Sequence, residues 1–180
     1  NTIKAIAFND DNSMQSNEAL FEIEARLVTA RKPSVHALVI GIEKFNNPRL
    51  NLEFSVADAK LFADVIKDHS PGLFETVNVR LLVNPQETTK DSLIAAMNEI
   101  QKTVHPEDLF VFYVASHGTV DEGEYFLVTS NVGATSTARL RQDAIPQTLL
   151  KELLGNVPAT KKLIVLDTCN SGQMVAQDMQ

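Results

Sequence analysis

From residue 35 onward the chain alternates short apolar runs with amphipathic segments of helical period, and that alternation leaves few folds open. HALVIGI (36–42), VNVRLLV (77–83), DLFVFYVASHG (108–118) and KKLIVLD (161–167) are rich in β-branched, leucine and aromatic residues. Runs of this kind are strands covered on both faces, as in a parallel sheet. Between them, Ser55 with Asp58 three residues on predicts a capping box, with Ala59, Phe62, Ala63 and Ile66 as the helix's apolar stripe. Thr88 with Asp91 predicts the start of a second helix that buries Leu93, Met97, Ile100 and Val104. Pro146 suits the first turn of a third, with Leu149, Leu150, Leu153 and Leu154 inward and Gly155 as its cap. EYFLV (124–128) reads as a hairpin-like insertion. The order implies an α/β fold, with right-handed crossovers and helices on both faces of a mainly parallel sheet.

The first 31 residues follow another pattern. NTIKAIAF (1–8) and ALFEIEARLV (19–28) read as two strands, the second with Phe21, Ile23, Ala25 and Leu27 alternating against Glu22, Glu24 and Arg26. The polar NDDNSMQSN between them is a turn. Residues 1–31 are expected to be a β-hairpin, the end of a preceding β-sandwich, with Arg31-Lys32-Pro33 as the boundary. The sequence opens on Asn1, which reads as a processed or excised piece.

A net charge of −7 disfavours nucleic acid and anionic membranes as partners. No apolar stretch has the length of a transmembrane helix. A single cysteine rules out an internal disulfide framework and suits a reducing, cytoplasmic setting.

That cysteine, Cys169, follows the strand KKLIVLD, and His117 closes DLFVFYVASHG about 50 residues upstream. Ligands of an open α/β sheet sit beyond the carboxyl ends of its strands, and both residues lie there. A thiol nucleophile needs a base and donors for the oxyanion formed on attack. Here His117 is the base, and the N–H groups of Gly118 and Cys169 are the donors. Gly172 lets the chain turn sharply past the nucleophile. Either residue alone would be at home in a core; the pair at adjoining strand ends points to covalent catalysis.

These residues resemble a known family. Residues 35–172 look like the large-subunit portion of the caspase and metacaspase superfamily of cysteine peptidases, most closely bacterial proteins of metacaspase type. HALVIGIEKFNNPRLNLEFSVADAKLFADVI resembles the family's first strand, loop and helix. Ser116-His117-Gly118 resembles its histidine motif, and Asp167-Thr168-Cys169-Asn170-Ser171-Gly172 its metacaspase nucleophile motif. The resemblance implies a caspase-haemoglobinase-like three-layer sandwich over 35–180 and endopeptidase activity through a His117/Cys169 dyad. It also implies that Asp167, where caspases carry Gln, selects Arg or Lys before the cut bond, with Asp58 as a second pocket acid and Ser116 beside them. Asn170 stands where metacaspases usually have His. The family fold continues through two further strands, so a small subunit from the same precursor is the expected partner, besides a protein or peptide substrate. No cofactor is implied. Some metacaspases use calcium, and Asp121, Glu122 and Glu124 form an acidic cluster, but it aligns with no ligand set and no metal is assigned.

Two other readings compete. A non-catalytic caspase-like signalling or assembly module usually lacks one member of the dyad. A flavodoxin-like nucleotide-binding domain needs a glycine-rich cradle after its first strand, and EKFNNPRLN contains no glycine.

Overall fold

A computed structural model of the chain describes residues 2–24 and 31–168, which fall into two compact units divided between Arg31 and Lys32. In the first, β1 (Thr2–Ala5) and β2 (Ala19–Glu22) form an antiparallel ribbon with Ile3 opposite Phe21. The strands are shorter than expected, and residues 25–28 of the predicted second strand lie outside the described residues. The turn is polar: Asn12 adopts a left-handed φ of 58°, and the Asp11 carboxylate accepts the Ser13 hydroxyl at 2.6 Å.

The second unit runs β3 (Val35–Gly41), α1 (Ser55–His69), β4 (Val77–Leu82), α2 (Lys90–Thr103), β5 (Leu109–Ala115), β6 (Gly118–Asp121), β7 (Glu124–Leu127), α3 (Thr137–Asp143), β8 (Ile145–Pro146), α4 (Gln147–Gly155) and β9 (Lys161–Asp167). The main sheet is parallel, in the order β4-β3-β5-β9. Because strand side chains alternate, Val35, Ala37 and Val39 pack with Val111, Tyr113 and Ala115 against Ala59 and Ala63 of α1. Leu38, Ile40, Phe110, Phe112 and Val114 pack on the other face against α2 and α4. Helix, sheet and helix make the expected three-layer α/β sandwich.

Four local expectations fail. Ser55 does not cap α1. It is the first residue of that helix, after Phe54, and its hydroxyl donates to the Ile42 carbonyl at 2.7 Å, tying α1 to the end of β3. The cap of α2 is Thr89, whose hydroxyl accepts the Ser92 N–H, while the Thr88 hydroxyl donates to Asn84 O at 3.1 Å. Pro146 precedes α4 in extended backbone, and Gly155 is that helix's last residue rather than its cap. Helix α3 and strand β8 had no clear periodic signal.

The β6-β7-β8 sheet is antiparallel, and Glu122 and Gly123 both adopt positive φ in its hairpin turn. Arg141 pairs with Glu124 at 3.1 Å and Glu122 at 3.5 Å, so two of the three acids of that cluster face a guanidinium. At the amino ends of the strands, the fully buried Asp108 carboxylate accepts the Ser34 and His105 N–H groups, with the His36 and His105 rings 3.5 Å away. Those two histidines therefore serve the frame, at the far end of the sheet from His117.

Candidate active site

The carboxyl ends of three strands are level: Gly41 pairs with Ala115, and Ala115 with Asp167. One step further, the Ser116 N–H donates to Asp167 O at 3.2 Å. The Ser116 hydroxyl donates to Val128 O at 2.8 Å, and the Val128 N–H donates back to His117 O at 3.0 Å. The backbone at His117 is thus clamped between β9 and the β6–β7 hairpin.

The imidazole is held independently. Its Nε2 lies 2.8 Å from the Leu50 carbonyl, and its ring meets Phe45 with centroids 5.5 Å apart. A carbonyl only accepts, so Nε2 carries the proton and, in the neutral ring, Nδ1 keeps its lone pair. Leu50 ends a 3₁₀ turn, Pro48–Leu50, which Asn47 caps by accepting the Arg49 N–H at 3.1 Å. Asn51 accepts the Phe45 N–H at 3.1 Å, and the Leu52 N–H reaches Glu43 O at 3.0 Å. Those bonds fold the loop after β3 onto itself and aim the Leu50 carbonyl.

A cleft of about 430 Å³ opens at this edge, and Phe54, Asp58, Ser116, His117, Asp167 and Thr168 all line it. Asp58 comes from the first turn of α1, where a carboxylate suits the helix dipole. Asp167 is the last residue of β9. Tyr113, below them on β5, donates to Asp167 Oδ2 at 3.4 Å and stacks on Phe62 with centroids 4.3 Å apart. Burial, then the charges of Asp167 and Asp58, push its phenol up to about 12. The fully buried Tyr125 reaches Thr168 Oγ1 with its hydroxyl at 2.7 Å.

The family profile for the caspase domain of C14 peptidases matches residues 34–180. The chain belongs to that peptidase family. No curated protein matches it. Among solved structures it is similar to protein GSU0716 from Geobacter sulfurreducens, with a TM-score of 0.59 and 18% identity over 82% of this chain and 55% of that one. Such a likeness speaks for the fold alone, and this chain spans about half the length of that relative.

In this caspase domain the structure brings four of the residues expected at the site, Asp58, Ser116, His117 and Asp167, to one cleft. Ser116 is buried with its hydroxyl committed to Val128, so it contributes wall. Gly118 opens β6, buried opposite Leu127. Cys169 lies outside the described residues. Sequence reasoning missed the Leu50 carbonyl, a backbone group that leaves no side-chain signature, and it missed Tyr113 and Tyr125. Both tyrosines sit inside apolar runs and read as plain core; the parity that puts Tyr113 on the face of Ala115 and Asp167 was the available clue. Among the described residues, no group of three or more His, Cys, Asp or Glu could hold a metal, and no helix is long and apolar enough to cross a membrane.

Proposed function

We propose that this chain carries the nucleophile of a cysteine endopeptidase that cuts after Arg or Lys. The observation behind the reading is one cleft holding the oriented His117 ring, the carboxylates of Glu53, Asp58 and Asp167, and Thr168, the residue bonded to Cys169. His117 Nδ1 takes the thiol proton as Cys169 Sγ attacks the scissile carbonyl, and the Leu50 carbonyl stabilises the imidazolium through Nε2–H. The N–H groups of Gly118 and Cys169 receive the oxyanion. The tetrahedral intermediate collapses to a thioester as His117 returns the proton to the departing amine. Water then attacks the thioester, losing its proton to His117, and releases the acid and the thiol.

Specificity follows from charge. Asp167 and Asp58 make the cleft acidic, so a guanidinium or ammonium gains charge-assisted hydrogen bonds there and an acidic side chain is repelled. Ser116 forms the adjoining wall.

Strand β9 supports a second part of the enzyme. Among the described residues it pairs only with β5, which leaves one ladder edge open, and Leu163 and Ile164 are 47% and 42% exposed. Such edges are normally paired or covered. The proposed occupant is a small subunit from the same precursor, which also completes the pocket.

An electrophilic peptide ketone ending in Arg tests the reading. It should attach covalently at Cys169, as peptide mapping by mass spectrometry would reveal, whereas the Asp-ended analogue should react far more slowly. No adduct at Cys169 with either reagent would end the proposal.

A further inference from the structure

We infer that Tyr113 is the positioning residue of the specificity pocket: its hydroxyl orients the Asp167 carboxylate toward the cationic side chain of the substrate. The inference rests on the basic specificity proposed above and adds the group that makes Asp167 able to deliver it.

Asp167 has an awkward place for a recognition residue. It ends an edge strand, is exposed, and makes no ion pair among the described residues. A carboxylate there has rotamer freedom, and water competes for it. Among the described residues its one side-chain partner is the Tyr113 hydroxyl at 3.4 Å. That hydroxyl is on a rigid support. The ring is only 6% exposed and lies nearly parallel to Phe62, at 18°. Phe62 belongs to α1, the helix whose first turn carries Asp58. One aromatic stack therefore joins the strand that anchors Tyr113 to the helix that presents the second acid.

The choice of donor also matters. A lysine or arginine in place of Tyr113 would hold Asp167 more strongly but would neutralise it, and a substrate cation would then find no net charge to meet. A phenol supplies the hydrogen bond and leaves the carboxylate charge intact. The charged groups that face it are Asp167 from β9 and Asp58 from α1, and with burial they keep the phenol protonated through the working pH range. His117, across the cleft, is committed to Leu50.

The test is Tyr113→Phe in the full-length enzyme, which keeps the ring and its stack and removes only the oxygen. Peptides with Arg before the cut are compared with otherwise identical peptides carrying citrulline, the neutral isostere of Arg. The expected result is a three- to tenfold rise in KM for the Arg peptide, kcat within about twofold of wild type, and unchanged kinetics on citrulline. Asp167→Asn is measured alongside and should produce a larger loss confined to the Arg peptide; adding Tyr113→Phe to it should then cost nothing more. Equal loss on Arg and citrulline after Tyr113→Phe would mean that the hydroxyl acts on packing, and the inference falls. An unchanged Tyr113→Phe beside a crippled Asp167→Asn also overturns it, while leaving basic specificity standing. If Asp167→Asn itself leaves Arg cleavage intact, basic specificity through Asp167 fails and takes this inference with it.

Discussion

The Leu50 carbonyl fixes the tautomer of His117: it accepts from Nε2 at 2.8 Å, so Nδ1 is the nitrogen left to act as a base. Neither residue is near the other in sequence, and Leu50 contributes no side-chain chemistry. The pairing makes the loop after β3 part of the site's machinery, because the 3₁₀ turn Pro48–Leu50 sets where that carbonyl points.

Loss of either member of the dyad should be decisive. General bases contribute typically 100- to 10,000-fold, so His117→Ala is expected to cut peptide hydrolysis by at least 100-fold, and Cys169→Ala should abolish it. Circular dichroism should show both variants folded. Near-wild-type turnover in either variant would refute the dyad.

Asp167→Ala should remove a charge-assisted hydrogen bond to the substrate, about 1.5–3 kcal/mol, and so lower kcat/KM for Arg and Lys peptides by tenfold or more. Asp58→Asn should lower it less, because of the two it is Asp167 that the Tyr113 hydroxyl holds in place. A wild-type enzyme that prefers Asp before the cut would instead align the protein with caspases in specificity.

Gly41 has no room for a side chain. A Cβ there would stand 2.5 Å from Ser55 O and 2.8 Å from Ala59 Cβ, at the contact where α1 meets β3. Overpacking of this kind costs ~1–3 kcal/mol. Gly41→Ala should therefore lower Tm by several degrees, and by moving the first turn of α1 it should also raise KM for basic peptides. A Tm equal to wild type would show that the helix shifts freely.

The chain has two tyrosines and no tryptophan, so its phenolate absorbance can be followed cleanly. Tyr113 rises from an ordinary 10.0 to about 12, first through burial and then through the Asp167 and Asp58 charges. Its protonated form is favoured in the fold, so its contribution is intact below pH 10 and is lost as pH climbs from 10 to 12. Stability should fall across that window, and Asp167→Asn should bring the Tyr113 midpoint down toward 10. A Tyr113 midpoint of 10 in the wild-type protein would contradict the proximity of the two acids.

The outer edge of β9, unpaired among the described residues, gives a further expectation. The active species should contain a second polypeptide alongside KKLIVLD, detectable by native mass spectrometry of the active material. Residues 1–180 folded, active and alone in solution would overturn it.

Much of the fold was legible because its signals are local. Continuous apolar runs such as HALVIGI are strands wherever both faces are buried, and the leucines of α4 recur with helical period. His117 was found the same way, as a polar residue ending an apolar strand, whereas Asp167 was singled out only by the family resemblance. The cap positions were misplaced by one residue because adjacent hydroxyls look alike in sequence: Thr89, not Thr88, accepts the Ser92 N–H, and the Ser55 hydroxyl donates to the Ile42 carbonyl, which only the packing of α1 on β3 brings near. Leu50, Tyr113 and Tyr125 acquire their partners from segments 43 to 67 residues away in the chain. The sequence by itself determined which residue types could do chemistry and at which strand ends they stand. Tertiary structure alone decided which nitrogen of His117 is free and what holds Asp167 and Thr168, because those answers depend on distances between segments that no local pattern encodes.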